Sequence, residues 1–201
     1  MEKPDAGLAI MERKKISKLH ILVHPGFIME EEFGEAEVDI VDIEDMERGA
    51  KLLSDYEQKA KTLGQDEVMV IISPSDISLI RKHKKLNKPY VQTIERIKKI
   101  LGKRAVVLMD RLDFFDEKEA RFKLKKVLNS RGYYFDENVL SEAYGETLGC
   151  CVDDAAEGLN REEKLSKKTV IKIDLTSGKG SDPESEASRA KKWGYKHLTF
   201  E

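Results

Sequence analysis

Residues 19–24 read "LHILVH", and the fold turns on how that run is taken. It is too short for a helix of ordinary length and shows no strict alternation of polar and apolar residues. Its Ile, Leu and Val content therefore predicts a strand buried on both faces. It ends in "HPGF", residues 24–27, which is turn chemistry. Similar runs recur as "VMVII" (68–72), "AVVLM" (105–109) and "TVIKIDL" (169–175). A less regular one lies within "YYFDENVLSEAYGE" (133–146), and "YKHLTF" (195–200) suits a short edge strand.

Between these runs apolar residues repeat at helical spacing. Met46, Ala50, Leu53, Ala60 and Leu63 form one stripe, stopped by Gly64. Ile94, Ile97 and Leu101 form a second before Gly102, and Ala120, Leu124, Val127 and Leu128 a third before Gly132. Val152, Ala155, Ala156 and Leu159 form a fourth. Ala187, Ala190 and Trp193 form a fifth, capped by Asp182, with Pro183 at its first position and Gly194 at its end. Strands alternating with helices predict an α/β three-layer sandwich with a mostly parallel sheet of at least five strands. Residues 1–15 are expected to be a loosely held N-terminal segment and 16–201 a single α/β domain. Residues 25–43 fall outside the alternation and are expected over or beside the carboxyl edge of the sheet.

Composition narrows the function classes. The chain has 201 residues, 40% hydrophobic and 37% charged, with 36 Lys and Arg against 38 Asp and Glu. A net charge of −2 exerts no global pull on nucleic acid or an anionic membrane. No apolar run approaches the roughly 18 residues of a membrane span, and no signal-peptide core is present. The two cysteines are adjacent, Cys150 and Cys151, which is no disulfide framework. A reducing, cytoplasmic location is the expectation. The acidic stretch 30–47 and the basic "RKHKKLNK" (81–88) read as solvated surface; a mutual contact or an anion-binding patch remain open.

In open α/β sheets ligands bind beyond the carboxyl ends of the strands. The residues there are "HPGF", "SPSD" (73–76), "DRLDFFD" (110–116), "GETLGCC" (145–151) and "TSGKGSD" (176–182). Ser75, Asp76 and Asp116 are explained as helix caps. His24, Asp110 and Cys151 are explained less well by turn chemistry. Cys151 is expected at the N-terminus of a helix running to about Asn160, beside the tip of the first strand. Its apolar stripe would face the sheet and Asp153, Asp154 and Glu157 would point outward. Free N–H groups and the helix dipole at such a position lower a thiol pKa and can hold an oxyanion. The alternative is that both cysteines are small buried residues.

The segment "YGETLGCCVDDAAEGLN" (144–160) resembles the cysteine-bearing stretch of the isochorismatase-like cysteine hydrolases, which include nicotinamidases. Gly145, Cys151, Val152 and Ala156 keep that family's spacing, with its Thr shifted to Thr147. The resemblance implies a parallel sheet between helices and a cysteine nucleophile. The family's Asp at the tip of the first strand is His24 here, and its Lys is not identified. No P-loop, no G-x-G-x-x-G and no G-x-S-x-G is present. Asp110, Asp113 and Asp116 in one loop make a weak cation site, so neither metal nor cofactor is expected.

Two readings stand. One is a cysteine-dependent hydrolase of a small amide or ester-like substrate, with Cys151 as nucleophile, His24 as base, and Asp76, Asp110 and Thr147 as substrate contacts. The other is a catalytically degenerate α/β binding or assembly module. A small-molecule ligand is the expected partner, oligomerisation is left open, and so is the choice between Cys150 and Cys151 as the reactive thiol.

Overall fold

The computed structural model describes residues 13–25, 43–74, 88–110, 118–136, 138–148, 151–160, 168–178 and 198–200. Its strands are β1 (Lys14–Lys15), β2 (Lys18–Val23), β3 (Glu67–Pro74), β4 (Ala105–Asp110), β5 (Tyr133–Tyr134), β6 (Leu140–Leu148), β7 (Lys168–Gly178) and β8 (Leu198–Phe200). Its helices are α1 (Ile43–Thr62), α2 (Lys88–Leu101), α3 (Lys118–Ser130) and α4 (Cys151–Asn160).

The LHILV run forms the middle of the sheet. β2 hydrogen-bonds to β3 on one side and to β6 on the other. The full order is β4-β3-β2-β6-β7-β8, six strands, and every pairing is parallel. β1 and β5 form a separate parallel pair, so Lys14 and Lys15, expected in the loose segment, are hydrogen-bonded. The irregular run at 133–146 contains two strands, β5 and β6.

A strand with helices on both sides must be apolar on both faces, and β2 shows this. Leu19, Ile21 and Val23 join a core cluster with Leu124 and Leu128 of α3 and Val152, Ala155, Ala156 and Leu159 of α4. Leu22 points the other way, into a cluster with Leu52, Leu53 and Tyr56 of α1 and Tyr90, Ile94 and Ile97 of α2. Three layers result, as the alternation predicts. The α1 stripe needs one correction: Ala50 is exposed, and Leu52 and Tyr56 hold the buried positions. Ala50 has a single methyl group to bury, whereas Tyr56 fills the space over β2 and β6. The helix expected over 187–193 and the segment 26–42 lie outside the described residues.

Gly145 is the tightest point of the sheet. It pairs with Val23 and has φ +121, a conformation that residues with a Cβ rarely adopt. A Cβ built there would overlap the carbonyl oxygen of Val23 and lie 2.8 Å from its nitrogen. The neighbouring ladder is irregular at the same place. From Ala143 to Gly145 β6 advances two positions, while β7 advances five, from Ile171 to Thr176. The extra β7 residues bulge out, held by a hydrogen bond from Thr176 Oγ1 to the Lys172 carbonyl at 2.7 Å. Gly145→Ala is expected to cost about 3 kcal/mol, from backbone overlap and unfavourable φ together. Urea denaturation of the two proteins checks this, and an unchanged midpoint would refute the close approach.

Candidate active site

The strand order reverses once. From β2 the chain steps outward to β3 and β4, then returns to β6 on the other side of β2 and continues to β7 and β8. The crevice at the carboxyl ends of β2 and β6 is therefore the topological switch point, where open α/β sheets bind ligands.

His24 stands at the β2 side of that crevice. Its N–H donates to the Ile72 carbonyl at 2.9 Å, which holds the chain against β3 after the strand ends. Its φ is +39, among the described residues the one positive φ outside glycine. Pro25 follows, and a residue before proline favours extended backbone, so this geometry is strained. The ring is 7% exposed, and burial pulls its pKa from 6.5 down to about 4. The charged ring would be desolvated, so His24 is neutral at pH 7.

The β6 side carries the cysteine. Gly145 does not end the strand, as the sequence suggests: β6 runs on to Leu148, and α4 opens at Cys151. Cys151 is half-buried at the head of that helix and packs against the core cluster. Val152, Ala155, Ala156 and Leu159 are buried as the stripe requires, and the helix ends at Asn160. Asp154 is exposed, but Asp153 is fully buried, against the expectation that it points outward. The reason is geometric. α4 packs on β6, β7 and β2 together, so its covered arc is wider than its apolar stripe. Both acids lie in the first turn, where the helix dipole favours negative charge.

The other sequence candidates are dispersed. Thr147 is on the last part of β6, before Cys151. Asp110 closes β4, three strands away from β6, which at the usual strand spacing is about 14 Å. Asp76, Asp113, Asp116 and Cys150 lie outside the described residues. Among the described residues no group of three or more His, Cys, Asp or Glu is arranged to hold a metal ion. No described helix is long and apolar enough to cross a membrane.

At the opposite, amino end of the sheet is a polar cluster that the sequence does not reveal. The His20 ring is 1% exposed and lies between two carboxylates, with Nε2 3.2 Å from Glu67 and Nδ1 3.3 Å from Glu142. Lys18 and Lys59 each place an ammonium 2.8 Å from Glu142. The hydrogen bond from His20, followed by those from the two lysines, holds the Glu142 carboxyl far below the usual range despite partial burial. Tyr144 packs against His20 edge-on at 6.3 Å and stacks with Tyr56 at 6.1 Å. Burial raises its phenol well above the ordinary value. His20 hides in an apolar run, and Glu142 in a strand without clear period. Only the alternation placing Glu142 and Tyr144 on one face of β6 hints at a shared environment.

No family model matches the sequence, and no curated protein matches it. Among solved structures the nicotinamidase from Staphylococcus aureus is similar. It is 15% identical, with a TM-score of 0.46, over 92% of this chain and 99% of that one.

The buried neutral His24 makes stability depend on pH. Its folded pKa lies below its unfolded value, so the unfolded state binds the extra proton between pH 6.5 and 4. The full contribution is present above pH 6.5 and is lost as pH falls to about 4, on the order of 3 kcal/mol. Glu142 acts in a separate window, below the ordinary carboxylate value of 4.5. Denaturation midpoints between pH 7 and 4.5 should fall in the wild type and flatten in His24→Gln. Equal slopes in both proteins would contradict the burial argument.

Proposed function

We propose that the protein is a cysteine-dependent hydrolase of a small amide or ester-like substrate, with Cys151 as nucleophile and His24 as proton acceptor. The observation that carries this reading is the thiol at the head of α4, at the switch-point crevice beside the end of β2. The strained backbone of His24 supports it, because such geometry tends to collect at functional sites. The spacing of Gly145, Cys151, Val152 and Ala156, shared with isochorismatase-like hydrolases, agrees with it.

The steps follow from the groups named. A neutral imidazole takes the Cys151 proton, which a charged one could not. The sulfur bonds to the carbonyl carbon, and the π electrons move to oxygen. Backbone N–H groups of the first turn of α4 stabilise that oxyanion. The tetrahedral adduct expels the amine or alcohol, which leaves with the proton from His24. Water then gives a proton to His24 and attacks the thioester, releasing the acid and returning the thiol. Thr147 would contact the substrate from β6. Asp76 and Asp110 would act only where a substrate spans toward β3 and β4.

Alkylation of Cys151 by iodoacetamide, titrated with pH in a Cys150→Ala background, tests the nucleophile. The expected apparent pKa is below the free-thiol value of about 8.5. In a panel of small primary amides and esters, Cys151→Ala should lower kcat/KM of any substrate found at least about a hundredfold. An alkylation pKa at or above the free value would leave the binding-module reading in its place.

A further inference from the structure

A second concavity lies away from the switch point, between α2 and β4 on the outer side of the described sheet. It encloses about 480 Å³, within the range of small-molecule sites. Its walls are apolar: the Tyr90 ring and Ile94 from α2, both buried, and the half-buried Val107 of β4. Val91, 43% exposed, stands on the same lining.

Among the described residues, the charges on this lining reduce to one. Lys98 is bonded to Glu95 at 2.7 Å, which makes that pair neutral. Ser73 and Tyr90 share a hydrogen bond at 2.6 Å, and burial pushes the Tyr90 phenol up to about 12, so this pair is uncharged as well. Arg131 remains. One of its terminal nitrogens, Nη1, donates to the carbonyls of Ala105 and Lys103, which fixes the guanidinium at the amino end of β4. Among the described residues its Nη2 and Nε groups have no acceptor. A guanidinium held by one nitrogen and open at the others is suited to a carboxylate.

We propose that this groove binds a small amphipathic carboxylate, its head on Arg131 and its apolar body against Tyr90, Ile94 and Val107. The occupant is a free small molecule with one anionic group. A second charge would find no counterpart among the described lining residues, and a body without an anion would leave Arg131 unanswered. The groove is separate from the crevice that holds Cys151: β4 and β6 are separated by β3 and β2.

Isothermal titration with 4-phenylbutanoate and its primary amide tests the proposal, since the two differ only in the head group. The wild type is expected to bind the acid about tenfold more tightly than the amide. Arg131→Gln should bring the acid down to the affinity of the amide and leave the amide unchanged. Val107→Trp, which fills the groove, should abolish both. Equal affinity for acid and amide in the wild type, binding that survives Val107→Trp, or no saturable binding would each overturn the assignment. The acid–amide comparison uses the unmodified protein, so it holds even if loss of the Arg131 bonds to β4 unfolds the variant.

Discussion

The contact between Gly145 and the backbone of Val23 sets the geometry on which the rest of the sheet depends. At this point β6 presses against β2 more closely than any side chain would allow. The same residue breaks step with β7, which takes up the mismatch as a bulge pinned by Thr176. β6 can then run on past the end of β2 and deliver α4 to the crevice. A larger residue at 145 would separate the two strands whose ends make the switch point.

The two ends of the sheet are built on opposite principles. At the amino end, opposite charges from β2, β3, β6 and α1 meet around His20 and Glu142. Networks of this kind contribute little net stability once desolvation is counted; their better-supported effect is to specify register. A one-residue slip of β6 would turn Glu142 toward the apolar face formed with α4 and leave two lysines without it. At the carboxyl end the chain accepts the reverse condition: a histidine kept neutral by burial, on strained backbone. Strong specification at one end makes it affordable to hold unfavourable chemistry at the other.

Much of the fold is legible in the sequence because β2, β3 and β4 are short, mainly apolar runs, and the helices between them end at glycines. The position of Cys151 at a helix start is legible for the same reason: a polar Gly-rich turn precedes the Val152 stripe. Gly145 reads as a strand end because turn glycines and bulge glycines look alike without their neighbour, here Val23. Hydrophobic spacing misplaces Asp153 because it shows which residues of α4 are apolar, and leaves out that three strands lie beneath it. The His20 cluster is invisible for a further reason. Its members come from β2, α1, β3 and β6, and only the strand order brings them together.

That strand order also bears on how the chain is made. β2 emerges before β3 and β4 during synthesis, and both can dock on one of its edges soon afterwards. Its other edge belongs to β6, and the ion pair from Lys18 to Glu142 closes across 124 residues of sequence. At ordinary translation speeds that edge stays unpaired for on the order of 10 s. During this interval the nascent chain presents an apolar strand with open backbone groups, the kind of edge that finished proteins cover. A central strand, buried from Leu19 to Val23, is thus the described strand that waits longest for its second neighbour, and a cell making this chain would have to shield it.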